Sequence, residues 1–266
     1  EIMPSLVGSE MCIRDRLNVA QMLEKSSYSI SLGNTHQDGI ISSTGMDRYN
    51  VKVSADTKLT NNWSSGFTAN YITTSIDKAV TSGNGLLRTV YAAPPSYDLA
   101  GIPSHVDGNQ YTQNSFRGSF DNAYWAMDNN KFTEDTNRFF GNVYASYQTD
   151  FGTTNHKLNA KYMVGVDAYT THYVDSYGYG SNTGGGRGQI ENYGWTNATY
   201  NSLLTINYDW HINEDWGLNA VLGNEIIQSN RKKYYEYGTN YNFPGWNHIN
   251  NATTPVSYTH LTLPTT

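Results

Sequence analysis

The chain has 266 residues, of which 15% are charged and 38% apolar, with a net charge of -6 and a mean hydropathy of -0.60. The low hydropathy and the lack of any run of about 18 apolar residues exclude a helical membrane protein. The acidic balance, without a Lys/Arg cluster, argues against nucleic acid as a partner. In place of charges the chain carries 24 Gly, 22 Tyr and many Asn, Ser and Thr residues, a blend typical of β-structure with long loops.

The two ends of the chain differ in character from the rest. SLVGSEMCIRDR at 5–16 and PVSYTHLTLPTT at 255–266 resemble translated sequencing-adapter sequence. We therefore expect residues 1–16 and 255–266 to be artefactual tails, with ordinary disordered termini as the alternative. Cys12, the single cysteine, lies in the first tail and can form no internal disulfide. No signal peptide is visible at the start, which predicts an incomplete chain if the protein is exported.

Between the tails, segments with alternating apolar and polar residues predict strands whose two faces meet different surroundings. They are 27–33, 48–56, 62–73, 138–149, 157–170, 198–212 and 215–228, preceded by the end of an eighth strand at 17–20. Several reach ten residues or more, about the length that a tilted strand needs to cross a bilayer. No segment shows a convincing helical period.

One face of these strands is free of charge. Val53, Val164 and Leu204 belong to that face, whereas the opposite face carries Lys52, Lys161 and Asp209. A charge that faces lipid at mid-bilayer costs about 2–4 kcal/mol, so its exclusion is expected of a transmembrane barrel. A soluble sandwich would also keep charges off its inner face, so this pattern alone leaves both folds open.

Aromatic residues and connection lengths separate these two folds. Aromatic side chains of the apolar face cluster towards both ends of the strands, as in the girdles at the two membrane interfaces. The predicted connections alternate between short and long along the chain. The long ones are 34–47, 74–137, 171–197 and the residues after 228, and the short ones are 57–61, 150–156 and 213–214. Outer-membrane barrels sort tight turns and long loops in this way.

We therefore predict an all-β fold: a partial antiparallel transmembrane β-barrel, seen as an open curved sheet of about seven to eight strands with long extracellular loops. The alternative from another class is a soluble secreted all-β carbohydrate-binding or adhesion module. A passive porin is a third interpretation.

Several segments resemble, in order, the SusC/RagA type of TonB-dependent outer-membrane receptor. They are YSISLGNTHQDGI (28–40), MDRYNVKVSADTKLTNNW (46–63), GNGLLRTVYAAPPSYDL (83–99), FDNAYWAMDNNKF (120–132), NRFFGNVYASY (137–147) and LNAVLGNE (218–225). The resemblance extends over nearly all of 17–254, which we predict to be part of such a receptor barrel. One departure is Ala123, where the family often has proline.

The resemblance implies a location in the outer membrane of a Bacteroidetes-type cell, in contact with its lipid. It implies import of glycans or peptides with energy from TonB, under a lid formed by a SusD-like surface lipoprotein. The plug domain and the N-terminal region that contacts the TonB complex would lie upstream of this sequence. On this interpretation the chain is not an enzyme and needs no cofactor.

Aromatic residues of the predicted loops are the candidate substrate- or partner-binding residues. They are Tyr97, Tyr124, Trp125, Trp195 and Trp246. Aromatic rings stack on sugar rings or pack against a partner at a small entropic cost. The alternative is that they hold the longest loop together, since such loops need internal packing or a function. We hypothesise that Tyr124 and Trp125 lie at the lid or substrate surface.

Other residue patterns predict no chemistry. The seven histidines lack HExxH-like or i, i+4 spacing and have no cysteine partner, so no metal site is predicted. The glycine-rich stretch 178–188 lacks the Lys-Ser/Thr ending of a phosphate loop and predicts a flexible loop. Asp121, Asp128, Glu134 and Asp135 match no glycosidase arrangement. We expect these four acids to be solvated charges of a loop or to form a cation site.

Overall fold

The computed structural model describes residues 12–80, 86–152 and 155–265. In this part of the chain nine antiparallel strands form one open sheet, and each strand pairs with its neighbour in sequence. The strands are β1 (Cys12–Met22), β2 (Ser26–Asp38), β3 (Gly45–Lys58), β4 (Trp63–Asp77), β5 (Lys131–Thr149), β6 (His156–Tyr177), β7 (Gln189–His211), β8 (Gly217–Tyr241) and β9 (Ala252–Thr265). The predicted all-β fold, matching a partial barrel, is confirmed.

The strands extend beyond their predicted ends. β6 continues to Tyr177, β7 begins at Gln189 and β8 continues to Tyr241, so the predicted loop 171–197 shrinks to 178–188. The predicted loop 34–47 likewise shrinks to 39–44. Those boundaries were wrong because the strand extensions carry polar residues on both faces, which hides the alternation although the backbone ladder continues.

Both edge strands include residues of the predicted tails. β1 begins at Cys12, and β9 runs from Ala252 to Thr265, which adds a ninth strand to the seven or eight that were predicted. The adapter origin of residues 1–16 and 255–266 remains a prediction.

The connections alternate between the two rims of the sheet, and the longest ones share one rim. One rim, the turn rim, holds the tight connections 23–25, 59–62 and 212–216 and the one between β5 and β6. The other, the loop rim, holds 39–44, 178–188, 242–251 and the long connection from Lys78 to Asn130. Consecutive antiparallel strands reverse direction at each connection, so alternating lengths place all the tight turns at one rim. The three longest connections lie at one rim as predicted, but the 39–44 connection of that rim has six residues, as many as the one between β5 and β6.

The strand register confirms that the sheet has one apolar and one polar face. Val53, Ala69, Gly141, Val166 and Tyr200 are successive cross-strand partners on the apolar face. Since neighbouring residues of a strand point to opposite faces, the adjacent row lies on the polar face. That row runs Lys52, Asn70, Phe140, Asp167 and Thr199.

Large side chains of the apolar face are exposed. Phe67 is 44% exposed, Val143 is 53% exposed and Val164 is 40% exposed. A soluble sandwich covers this kind of face with a second sheet. The described residues form a single sheet and supply no such layer. A contiguous apolar surface left open in this way marks contact with lipid or with another protein.

Several charged residues of the polar face interact with neighbouring side chains. The Arg138 guanidinium donates to both carboxylate oxygens of Asp167, at 2.8 and 2.6 Å. The Tyr144 hydroxyl donates to Asp56 at 2.6 Å, and the Lys161 ammonium lies 4.3 Å from the centre of the Tyr144 ring.

The long connection contains two short helices that the sequence did not predict. They are α1 (Leu86–Ala92) and α2 (Ala123–Asn129), and a 3-10 turn at Ile249–Asn251 precedes β9. Each α-helix has seven residues, which is too short for a 3.6-residue period to stand out. Within the described residues, none of the helices has the length and apolar character needed to cross a bilayer.

Candidate functional site

A buried carboxylate joins the long connection to the 178–188 turn. Asp121 is 2% exposed. It accepts hydrogen bonds from Ser181 Oγ at 2.6 Å and from the Asn182 N–H at 2.7 Å, both across the loop rim, and from Gln113 Nε2 at 2.7 Å. The predicted solvated state of Asp121 was therefore wrong. A buried charge is retained where donors surround it, which is the arrangement here.

The next residue, Asn122, starts helix α2. Its side-chain oxygen accepts from the backbone N–H groups of Tyr124 at 3.0 Å and Trp125 at 3.2 Å, the pattern of a helix N-cap. Its amide donates to the Asn114 carbonyl at 2.9 Å. The DNAYW stretch thus closes the long connection on itself.

Trp125 lies inside the folded connection. Its side chain is 0% exposed, and its indole N–H donates to the Gln110 carbonyl at 2.9 Å. Its placement agrees with the packing alternative, because an enclosed ring presents no face to a sugar or a lid. Tyr124, one residue earlier, is 46% exposed. Of the hypothesised pair, Tyr124 alone lies at the surface.

The other three candidate residues lie in different surroundings. Tyr97 packs against Phe116 with ring centres 5.5 Å apart. Trp246, which is 44% exposed, stacks on His248 at 5.2 Å. Trp195 lies in strand β7, so its predicted loop position was wrong. No ring contact joins any two of the five candidates among the described residues.

A row of tyrosines that sequence analysis missed crosses the sheet near the loop rim. Tyr173, Tyr193, Tyr235 and Tyr258 are successive cross-strand partners on β6 to β9, on the polar face, and we call them the tyrosine row. Tyr258 belongs to the predicted tail 255–266, so the first three tyrosines define the site. The rings of Tyr173 and Tyr193 are parallel to within 5° with centres 4.8 Å apart. Tyr235 and Tyr258 lie 5.1 Å apart. Trp195 extends the row, with its ring 5.5 Å from Tyr173.

Carboxylates accompany three of these tyrosines. Tyr193 donates to Asp175 at 3.1 Å. Burial first, and then the charge of Asp175, raise the pKa of Tyr193 to about 12. Burial first, and then the charge of a nearby carboxylate, raise the pKa of Tyr173 beside Glu134 and of Tyr235 beside Glu191.

Two of the carboxylates face each other. Asp175 on β6 and Glu191 on β7 are direct register partners, next to the tyrosine row on its loop-rim side. Burial raises the pKa of Glu191, and the neighbouring charge of Asp175 raises it further. Like charges directly opposite on adjacent strands are unfavourable, so this pair stores electrostatic repulsion.

A cavity of about 540 Å³ lies beside this pair, between the 39–44 hairpin tip and the polar face. Its walls combine apolar, aromatic and charged groups, among them Ile40, Ile41, Lys78, Phe132, Asp175 and Tyr193. A ligand site commonly has this combination of an apolar wall and a few convergent polar groups. The cavity and the tyrosine row form the candidate functional site.

No protein-family model and no curated protein matches this sequence. Solved structures do match. The RagAB peptide importer in the "closed-closed" state aligns with 93% of this chain at a TM-score of 0.71 and 15% identity. A structure of the RagAB peptide transporter aligns with 94% at 0.69 and 13% identity, and the "open-open" state of the importer with 93% at 0.69 and 14% identity.

The chain shares its fold with part of the RagAB peptide importer. It spans 28% of the length of the matched RagAB chains. At this level of identity the likeness concerns the arrangement of the backbone. It agrees with the single open antiparallel sheet, which matches part of a β-barrel.

Proposed function

We propose that the chain is a segment of the barrel wall of a SusC/RagA-type TonB-dependent receptor, which imports nutrients across the outer membrane. The observation that carries this proposal is an open apolar face backed by a polar face that carries charges, in a sheet whose longest connections all lie at one rim. In a membrane barrel the apolar face would contact lipid, and the polar face would contact the aqueous lumen. The proposed role is in transport and involves no catalysis or cofactor.

The proposed partners follow from the same assignment. A SusD-like surface lipoprotein would cover the loop rim, and the TonB complex would act through the N-terminal region of the receptor. Glycans and peptides are the two proposed substrate classes. Peptides are the first class to test, because the matched structures are described as a peptide importer.

Detergent dependence tests the membrane assignment. The chain should stay dispersed and β-structured in detergent micelles, insert into lipid vesicles, and aggregate when detergent is removed. Circular dichroism and vesicle flotation measure these properties. A chain that remains monomeric and folded without detergent would instead support a soluble secreted all-β binding or adhesion module.

Uptake by the full-length receptor tests the exposed loop aromatics. Tyr124→Ala should weaken solute uptake or lipoprotein binding at unchanged expression, since its ring lies at the loop-rim surface. Trp125→Ala is the contrasting variant, and its effect should come with loss of loop order. Normal uptake by the Tyr124 variant would remove that residue from the proposed site.

A further inference from the structure

One lysine shows how the candidate site holds a cation. The Lys78 ammonium lies 4.5 Å from the centre of the Tyr173 ring and 3.3 Å from a carboxylate oxygen of Glu134. An aromatic face and a carboxylate together are a favourable setting for an ammonium group, because the ring quadrupole adds to the ionic attraction. The chain thus supplies its own cation at this end of the tyrosine row.

The same pairing of rings and carboxylates recurs on the next strands. The Tyr193 hydroxyl donates to Asp175 at 3.1 Å, and Glu191 lies close to Tyr235. Here, among the described residues, no Lys, Arg or His forms an ion pair with either carboxylate. The two acids directly oppose each other across β6 and β7. A cation between the two carboxylates would attract both of them and offset their mutual repulsion.

The cavity gives a solute access to Asp175. Asp175, Tyr193 and Lys78 line it, and Ile40 and Ile41 of the hairpin tip form its apolar side. Glu191, the register partner of Asp175, lies next to this lining but is not part of it. Its volume of about 540 Å³ falls within the range of roughly 300–1,000 Å³ that is usual for small-molecule sites. A long side chain with an apolar stem and a charged end fits this distribution of groups, since the stem can lie along the isoleucines.

We propose that this cavity binds the ammonium or guanidinium group of an imported solute, with Asp175 as the counter-charge in its wall, Glu191 as a second negative charge beside Asp175, and Tyr193 as an aromatic wall. The inference rests on the proposed function, because a solute meets the polar face by passing through the barrel. Aromatic walls favour an organic cation over a metal ion. In the described residues, no group of three or more His, Cys, Asp or Glu is arranged to hold a metal.

Calorimetric titration of the 266-residue chain in detergent micelles tests the proposal. The probes are N-acetyl-arginine amide and N-acetyl-lysine amide, with the neutral analogues N-acetyl-citrulline amide and N-acetyl-norleucine amide. We expect each cationic probe to bind at least tenfold more tightly than its neutral analogue. Equal binding of charged and neutral probes would overturn the proposal, and so would displacement by calcium chloride at an ionic strength at which sodium chloride has no effect.

Isosteric variants assign the binding to the two acids. Asp175→Asn with Glu191→Gln should abolish the preference for charged probes, and each single change should reduce it at least threefold. The matched control is Asp209→Asn, an acid of the same face near the turn rim, which should change the preference less than twofold. Should the double variant misfold by circular dichroism, the single Asp175→Asn variant decides, because asparagine still accepts from Tyr193. An unchanged preference in a folded variant contradicts the proposal.

The two proposals fail in different experiments. A chain that inserts into vesicles but does not prefer cationic probes leaves the transport proposal standing and refutes the cation site. A chain that is soluble without detergent and still prefers them refutes the membrane role, and the cation site then belongs to a soluble protein.

Discussion

At the residue scale, surroundings rather than residue type decide what an acid does in this protein. Asp121 and Asp128 lie seven positions apart in the same connection, and sequence gives them the same expected role. The first is buried under three donors, whereas the second has a side chain that is 64% exposed and lies 3.9 Å from His105 Nε2. The two residues therefore provide a matched pair for mutagenesis.

Replacing Asp121 by Ala should loosen the loop rim. The change leaves the Ser181 hydroxyl and the Asn182 N–H without an acceptor, whereas the Gln113 amide keeps the Gly180 carbonyl at 2.8 Å. We expect local stability to fall by about 2–4 kcal/mol. Amide hydrogen exchange in α2 and in the 178–188 turn measures the effect. Asp128→Ala is the control and should leave exchange nearly unchanged, since exposed ion pairs contribute little. Equal effects of the two changes would contradict the structural role of Asp121.

Glu191 should make the protein more stable when it is protonated. Its pKa is raised in the folded state by burial and by Asp175, so folding favours the protonated form. Below the ordinary glutamate pKa, Glu191 is protonated in both the folded and the unfolded state and does not destabilise the fold. As the pH rises from that value through the raised pKa of the folded state, the unfolded state ionises more readily, and the stability of the folded chain decreases. Glu191→Gln should therefore stabilise the chain at neutral pH and have little effect at low pH. Unfolding in micelles as a function of pH measures this, and a pH-independent difference would refute the assignment.

At the element scale, strand β6 shows how alternation separates two environments. Val164 faces the apolar side opposite Val143, and Met163 faces the polar side opposite Tyr144. Neighbouring residues of one strand therefore sample lipid and lumen in the proposed barrel. The two positions have the same local strand conformation. A large difference in the stability cost of the same substitution at these positions therefore reports on the two faces of the sheet.

Val164→Arg should destabilise the chain in lipid far more than Met163→Arg. A lipid-facing Arg near the midplane costs about 2–4 kcal/mol, whereas a lumen-facing one stays hydrated. The unfolding free energy in phospholipid vesicles, measured with denaturant, gives both values. Equal costs would mean that the apolar face does not contact lipid.

At the scale of the whole molecule, the sorted rims predict an orientation in the membrane. Asn182 lies in the 178–188 connection of the loop rim and Glu214 in the tight 212–216 turn. Both are exposed, so a cysteine at either position is open to reagent on its own side of the bilayer.

In a full-length receptor whose native cysteines are replaced by Ser, a membrane-impermeant maleimide should label Asn182→Cys on intact cells. Glu214→Cys should be labelled only after the outer membrane is permeabilised. Mass shift of the labelled protein on a gel provides the measurement. If both positions were labelled on intact cells, the two rims could not lie on opposite sides of the outer membrane.

The sequence predicted the features that repeat locally. Lys52 and Val53 are assigned to opposite faces by the two-residue period of a strand alone, because backbone pleating alternates side chains whatever the partner strands are. The order of short and long connections is also visible along the chain. Strand ends were less predictable, because polar residues on both faces of β6 and β7 near Asp175 and Glu191 remove the contrast that marks a strand.

The tertiary structure alone decided which distant residues meet. Tyr173, Tyr193, Tyr235 and Tyr258 form one row only because hydrogen bonding sets the register of four strands, and a shift of one residue would turn a tyrosine to the other face. In the same way, Asp121 is buried because the 178–188 turn packs against it and donates two hydrogen bonds to its carboxylate. Alternation is a property of one strand, whereas register and burial are properties of strands and loops that pack together.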